Sequence, residues 1–322
     1  MSLYRNILIQ AWEITKKNYY LWFFGIFAAL IGSGGELLFN ALSPESGQGM
    51  IDAIIRIENT GILSQGFFSN LASAYQNNSL SIVIIFLVSL VFLALFVFVV
   101  WLSVTSQAAI VNNVNLINSR KSHDFKVAIT SGMKKFWTVF GLNFLAKFVS
   151  IIFYVLFVVM AFLLAPDFTS WVDVLSYVFG YVIFFVFSLA ISFIIKYAIS
   201  YSIIKEKGFL ESLRLGWSLF KLNWLISLEM SALMFFLSLI VTFSYLVVAM
   251  AMAIPLVFLA ILAGKLTMLG FVIILFLSGV VYLASLFLVG ALLSTFQVSS
   301  WTLLFIQLSG KGAVSRIMRM IG

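Results

Sequence analysis

The sequence predicts an all-α integral membrane protein: six transmembrane helices in three elbow-plus-hairpin repeats, each led by an interfacial amphipathic helix. Three observations predict it. Of 322 residues, 63% are hydrophobic and 9% are charged, where a soluble domain carries about 45–50% apolar and about 25% charged residues. Six apolar stretches reach the roughly 20 residues that a helix needs to cross a bilayer. Three short segments, 4–17, 125–137 and 209–221, carry aromatics on one face and Lys or Arg on the other, and each runs straight into an apolar stretch.

The spans fall at 19–42, 81–105, 138–165, 172–201, 223–254 and 269–297. A signal-peptide reading of the first is set aside, because its leading segment is long, amphipathic and carries Trp12, Tyr19 and Tyr20. Pro255 is expected to end the fifth span, with a short interfacial or re-entrant piece after it. A seventh span there would export the basic tail, so it is rejected.

Charge then sets the topology. Arg5, Lys16 and Lys17 precede the first span. Arg120, Lys121, Lys126, Lys134 and Lys135 separate the second from the third. Lys205, Lys207, Arg214 and Lys221 separate the fourth from the fifth, and Lys311, Arg316 and Arg319 follow the sixth. The other side keeps Arg56 and Lys265 beside several carboxylates. The positive-inside rule therefore places both termini in the cytoplasm of a cell whose inner membrane holds the chain. The net charge of +8 reports this topology and anionic headgroups, and no nucleic-acid partner is expected.

The repeat shows as W-x-x-x-K-x-N at Trp12, Lys16, Asn18 and again at Trp217, Lys221, Asn223; the middle copy is degenerate, with Lys134, Lys135 and Trp137. Gln107 precedes Lys121, and Gln297 precedes Lys311, by the same number of positions. Counting back equally from Lys207 gives Phe193. One membrane domain, 1–322, thus divides into repeats 1–121, 122–207 and 208–311 and a basic tail, 312–322. The first repeat is longer by a polar outer loop, 43–79. Two spans per repeat give all three the same orientation, as copies about an axis along the membrane normal would have.

The elbow segments read as helices lying in the interface with their cations among headgroups. In the second, Phe125, Ala128, Ile129, Gly132, Met133 and Phe136 follow the i, i+3, i+4, i+7 stripe, and Asp124 or Ser122 can cap it. Lys16, Lys17, Lys134, Lys135, Arg214, Lys221, Arg316 and Arg319 are the candidate headgroup ligands. Their role is either a collar that binds anionic lipid, with room for a protein partner on the cytoplasmic face, or an anchor that fixes span depth.

Charges inside the spans are the sharpest site signal: Lys147, Lys196 and Glu229, each two to three turns from a cytoplasmic helix end. A charge at the bilayer centre costs about 2.5–3.5 kcal/mol on insertion scales. Glu229 is therefore expected to meet Lys147 or Lys196, either as a structural pair or as part of a substrate or proton path. Gly34-Gly35-Glu36 at the outer end of span one is a second candidate, read as a helix break beside a carboxylate or as small-residue packing. The run Gln107, Asn112, Asn113, Asn115, Asn118 reads as a solvated extension of span two.

Catalytic chemistry is not expected. Cysteine is absent, and His123 is the one histidine. No serine sits in G-x-S-x-G, and no H-E-x-x-H or zinc spacing occurs. Neither metal nor cofactor is implied.

Several segments resemble a known group of bacterial six-span proteins. These are Lys205-Glu206-Lys207-Gly208 with Gly216-Trp217-Ser218-Leu219-Phe220-Lys221, Phe24-Gly25, Gly34-Gly35-Glu36, and Ser300-Trp301-Thr302-Leu303-Leu304-Phe305. The pattern is similar to the glycerophosphoryl diester phosphodiesterase membrane domain and its relatives. The resemblance implies an integral membrane domain concerned with lipids or membrane-derived metabolites. It does not bring the phosphodiesterase activity, because the catalytic barrel and its histidine motif are missing here.

Overall fold

The computed structural model describes residues 2–31, 79–164 and 171–311. Within them the chain forms α1 (Ser2–Lys17), α2 (Tyr20–Ile31), α3 (Ser79–Asn118), α4 (Phe125–Lys134), α5 (Phe136–Leu164), α6 (Trp171–Ile204), α7 (Phe209–Leu222), α8 (Trp224–Leu266) and α9 (Met268–Lys311). Five of these, α3, α5, α6, α8 and α9, are long and apolar enough to cross a membrane. The chain is a multi-pass α-helical membrane protein. Of the first predicted span, Tyr20–Ile31 form α2; the rest of that span and the outer loop, 32–78, lie outside the described residues.

The long helices pack at one end, next to α1, α4 and α7. There, α3, α6 and α9 touch one another in pairs, α2 lies between α3 and α9, α5 lies on α6, and α8 lies on α9. One core cluster joins α1, α2, α3, α6, α8 and α9 through Ile7, Phe24, Ile110, Tyr197, Met230 and Phe305. A second joins α3, α5 and α6 through Val104, Val139 and Ile199. Towards the far end the side chains turn outward. Phe86, Phe92, Phe96, Phe179, Phe236 and Phe276 are all exposed, as lipid-facing groups must be when bilayer replaces a protein core. The far halves of the two hairpins hold together by specific contacts. Phe153 lies on Phe187 and Phe157 on Phe184 between α5 and α6, and the Tyr282 hydroxyl donates to the Ala249 carbonyl between α9 and α8.

Two expectations are corrected. Pro255 does not end a helix: α8 runs through it to Leu266, 43 residues in all. Proline removes one backbone donor, and a neighbouring helix packed along the same length keeps the ladder in place; α9 does this for α8. The polar extension of α3 is helical and solvated only in part: Asn118 is exposed, whereas Gln107, Asn112 and Asn115 are half-buried. Asn113 is fully buried among Ala109, Ile110 and Val114, with its Nδ2 donating to the Ala109 carbonyl. This segment belongs to the core because α2, α6 and α9 enclose it.

The short helices pack through small residues. In α4 the buried positions are Ala128 and Gly132, while Phe125 and Met133 are exposed; the face turned to the protein is narrower than the predicted stripe. Asp124 caps α4 by accepting from the Phe125 amide at 2.6 Å. In α7 the buried positions are Ser212, Gly216 and Leu219. A Cβ at Gly132 would collide with the Thr105 carbonyl of α3, and one at Gly216 would come 2.7 Å from the Ile194 carbonyl of α6. Such i, i+4 pairs of small residues let backbones approach closely.

The corners entering α4 and α7 share an unusual backbone. Arg120 has φ of 54° and Glu206 of 53°, the left-handed region that a side chain disfavours by about 1–2 kcal/mol. Each follows a long helix and precedes a lysine whose amide bonds back to that helix, Lys121 to Leu116 and Lys207 to Tyr201. This is a left-handed helix ending. Replacing Arg120 or Glu206 by glycine is expected to stabilise the protein by about 0.5–1 kcal/mol, seen as a higher midpoint in thermal melts in detergent. A lower midpoint for both would show that the side chains, not the backbone, hold these corners.

Candidate functional site

The polar layer forms where α1, α6, α8 and α9 meet. Glu229 lies just over a turn into α8 and is half-buried. The hydroxyl of Tyr4, on α1, donates to its Oε2. Two residues before Glu229, the Ser227 hydroxyl shares a 2.7 Å hydrogen bond with the Tyr197 hydroxyl of α6. The neighbour of Tyr197, Lys196, holds its Nζ 4.5 Å from the ring centre of Trp301 on α9 and 5.8 Å from that of Phe193. An ammonium on an indole face gains about 0.5–2 kcal/mol, more as water is removed. The layer therefore combines a carboxylate, two phenols and a cation on an aromatic platform. Each charged group has a local stabilising contact within the bundle.

The candidates are distributed as follows. Lys196 and Glu229 belong to one layer, tied by the Tyr197–Ser227 bond. Lys147 is exposed on α5, which packs on α6 and α3. The Phe153–Phe187 and Phe157–Phe184 contacts set α5 antiparallel to α6. Carried towards the elbow end, that register brings Lys147 to the level of Phe193, on the side of the bundle built by the second core cluster. Gly34, Gly35, Glu36, Arg316 and Arg319 lie outside the described residues. Of the headgroup candidates, Lys16, Lys17, Lys134, Arg214 and Lys221 are exposed. Lys17 meets Glu13 at 3.2 Å with both side chains well solvated. Lys135 is half-buried and donates to the Glu206 carbonyl at 3.3 Å, linking α4 to the next corner.

Several interhelical bonds surround this layer. The Asn143 Nδ2 of α5 donates to the Gln107 Oε1 of α3 at 2.8 Å, the Gln297 Nε2 of α9 donates to the Ser238 hydroxyl of α8 at 2.8 Å, and the Thr295 hydroxyl donates to the Leu21 carbonyl of α2 at 3.1 Å. The two glutamines that echo each other in the sequence thus both bridge a pair of long helices. Tyr4 and Trp301 escape a search for charges. Their signal is weaker: a tyrosine on the apolar face of a leading helix, and a tryptophan well inside the final one.

Fold and layer together define a polytopic α-helical membrane protein with a polar girdle near one end. No family model, curated protein or solved structure matches the chain.

Proposed function

We propose that this protein is a lipid-interacting domain of the cytoplasmic membrane, with both termini and the elbow end on the cytoplasmic side. One observation carries the reading. All three elbows turn a tryptophan and basic residues outward at the packed end: Trp12 with Lys16 and Lys17, Trp137 with Lys134, and Trp217 with Arg214 and Lys221, all exposed. Indole rings settle at the headgroup level, and each nearby cation attracts anionic lipid by about 1 kcal/mol. The resemblance to the phosphodiesterase-associated membrane domain supports the same reading. The polar layer is compatible with transport. However, the groove between α8 and α9 is apolar and is lined by Tyr245, Val248, Met252 and Tyr282, far along α8 from Glu229. We read the chain as non-catalytic.

The double variant Lys134→Gln, Lys135→Gln tests the proposal. It is expected to lower the anionic share of co-purified lipid, the exposed Lys134 contributing about 1 kcal/mol of that attraction and the half-buried Lys135 less. Unchanged lipid together with loss of a co-purifying protein would instead favour a scaffold that docks partners through this collar.

A further inference from the structure

We infer that the molecule is a closed ring of three related wedge-and-span units, in which α1 is seated on α9 as α4 is on α3 and α7 is on α6. Four observations lead there. First, α4 and α7 are each seated on the long helix that precedes them, with a glycine against its backbone: Gly132 on Thr105, and Gly216 on Ile194 and Ala198. Second, the corners leading into those wedges share the left-handed residue at one register. Arg120 and Glu206 stand immediately before Lys121 and Lys207, and this shared backbone aligns the two lysines and with them Gln107 and Phe193. The same spacing from Gln297 ends on Gly310 and Lys311, where α9 is still helical, so the left-handed turn marks the α3–α4 and α6–α7 corners.

Third, α3, α6 and α9 meet pairwise at the packed end, as three copies about one axis must. Fourth, α1 lies on α9, with the Trp12 and Phe296 rings 6.3 Å apart. The residue before Trp12 is Ala11, fully buried; the residue before Trp217 is Gly216. Ala11 thus occupies the wedge's small position. Nothing covalent joins α9 to α1, so the ring closes through non-covalent contacts. Tyr4 reaches Glu229 on α8, and Leu21 on α2 accepts from Thr295 on α9.

The equivalence fixes a seat. Gly216 rests at Ile194 and Ala198. The Gln107–Phe193–Gln297 alignment carries this seat to Val298 and Thr302 on α9 and the Gly132 seat at Thr105 to Thr295, so Ala11 rests on the Thr295–Thr302 stretch of α9. The chain contains no cysteine, so paired cysteines report cleanly on the full-length protein in membranes. A short bifunctional thiol reagent is expected to join Ala11→Cys to Thr302→Cys, and to leave Ala11→Cys with Ser285→Cys unjoined, since Ser285 lies about 25 Å further along α9. The pair Trp12→Cys, Phe296→Cys shows that reagent and fold are intact. Should the Thr302 variant fail to assemble, Val298→Cys takes its place. A join at Ser285, or none at either seat position while Trp12 and Phe296 are joined, overturns the inference.

Discussion

Gly25→Ala is expected to cost about 3 kcal/mol, more than any other single methyl added to a described glycine. Gly25 of α2 lies directly against the Ala291 carbonyl and the Thr295 hydroxyl of α9. A new Cβ there meets backbone, which cannot swing aside as a flexible side chain does. Overpacking of a tight contact costs about 1–3 kcal/mol. Pushing α2 outward also stretches the bond from Thr295 to the Leu21 carbonyl, worth about 1 kcal/mol. Gly279 of α9 provides the control, because nothing lies within 4 Å of the Cβ it would gain; alanine there should be neutral or slightly stabilising. Thermal melts of the two variants in one detergent make the comparison. Equal midpoints would mean that α2 and α9 are not in close contact in the membrane.

The second large effect concerns Glu229. Glu229→Gln is expected to destabilise the protein by about 2 kcal/mol, because a hydrogen bond to a charged acceptor contributes about 1.5–3 kcal/mol. Tyr4→Phe removes the other half of the contact. If the two groups act on each other, the double variant loses less than the sum of the singles by about 1 kcal/mol or more. Strict additivity would show that the Tyr4 hydroxyl and the carboxylate do not stabilise one another. Lys196→Met in the Glu229→Gln background asks about the cation of the same layer: recovery of stability would mark Lys196 as the group that the lost charge had balanced.

Class, helix content and most span positions were legible in the sequence because composition and hydropathy act on every residue of a membrane helix. The Asp124 cap was legible for a local reason: it needs only one carboxylate before an apolar run. Pro255 misled, because its effect depends on whether another helix supports the ladder beside it. Asn113 misled in the same way. An asparagine-rich segment reads as solvated until α2, α6 and α9 are known to enclose it. The polar layer was half visible. Lys196 and Glu229 stand out as charges among apolar residues, whereas Tyr4 and Trp301 become partners only once helices far apart in the chain are brought together. The narrow seat of α4 was hidden too, since periodicity marks an apolar face but not how closely a backbone approaches through Ala128 and Gly132.

The packing of the long helices at one end has a mechanical consequence. α8 is about 65 Å long at 1.5 Å per residue, roughly twice the thickness of the hydrocarbon layer. Its inner part is clamped in the core by Ile226, Met230 and Met234, while its outer part rests on α9 and lipid. A beam held at one end deflects most at its tip. The hub should therefore stay stiff when acyl-chain packing changes, while the α8–α9 tip at Thr267 moves furthest. Bilayer lateral pressure thus acts on this molecule with leverage that increases with distance from the elbows.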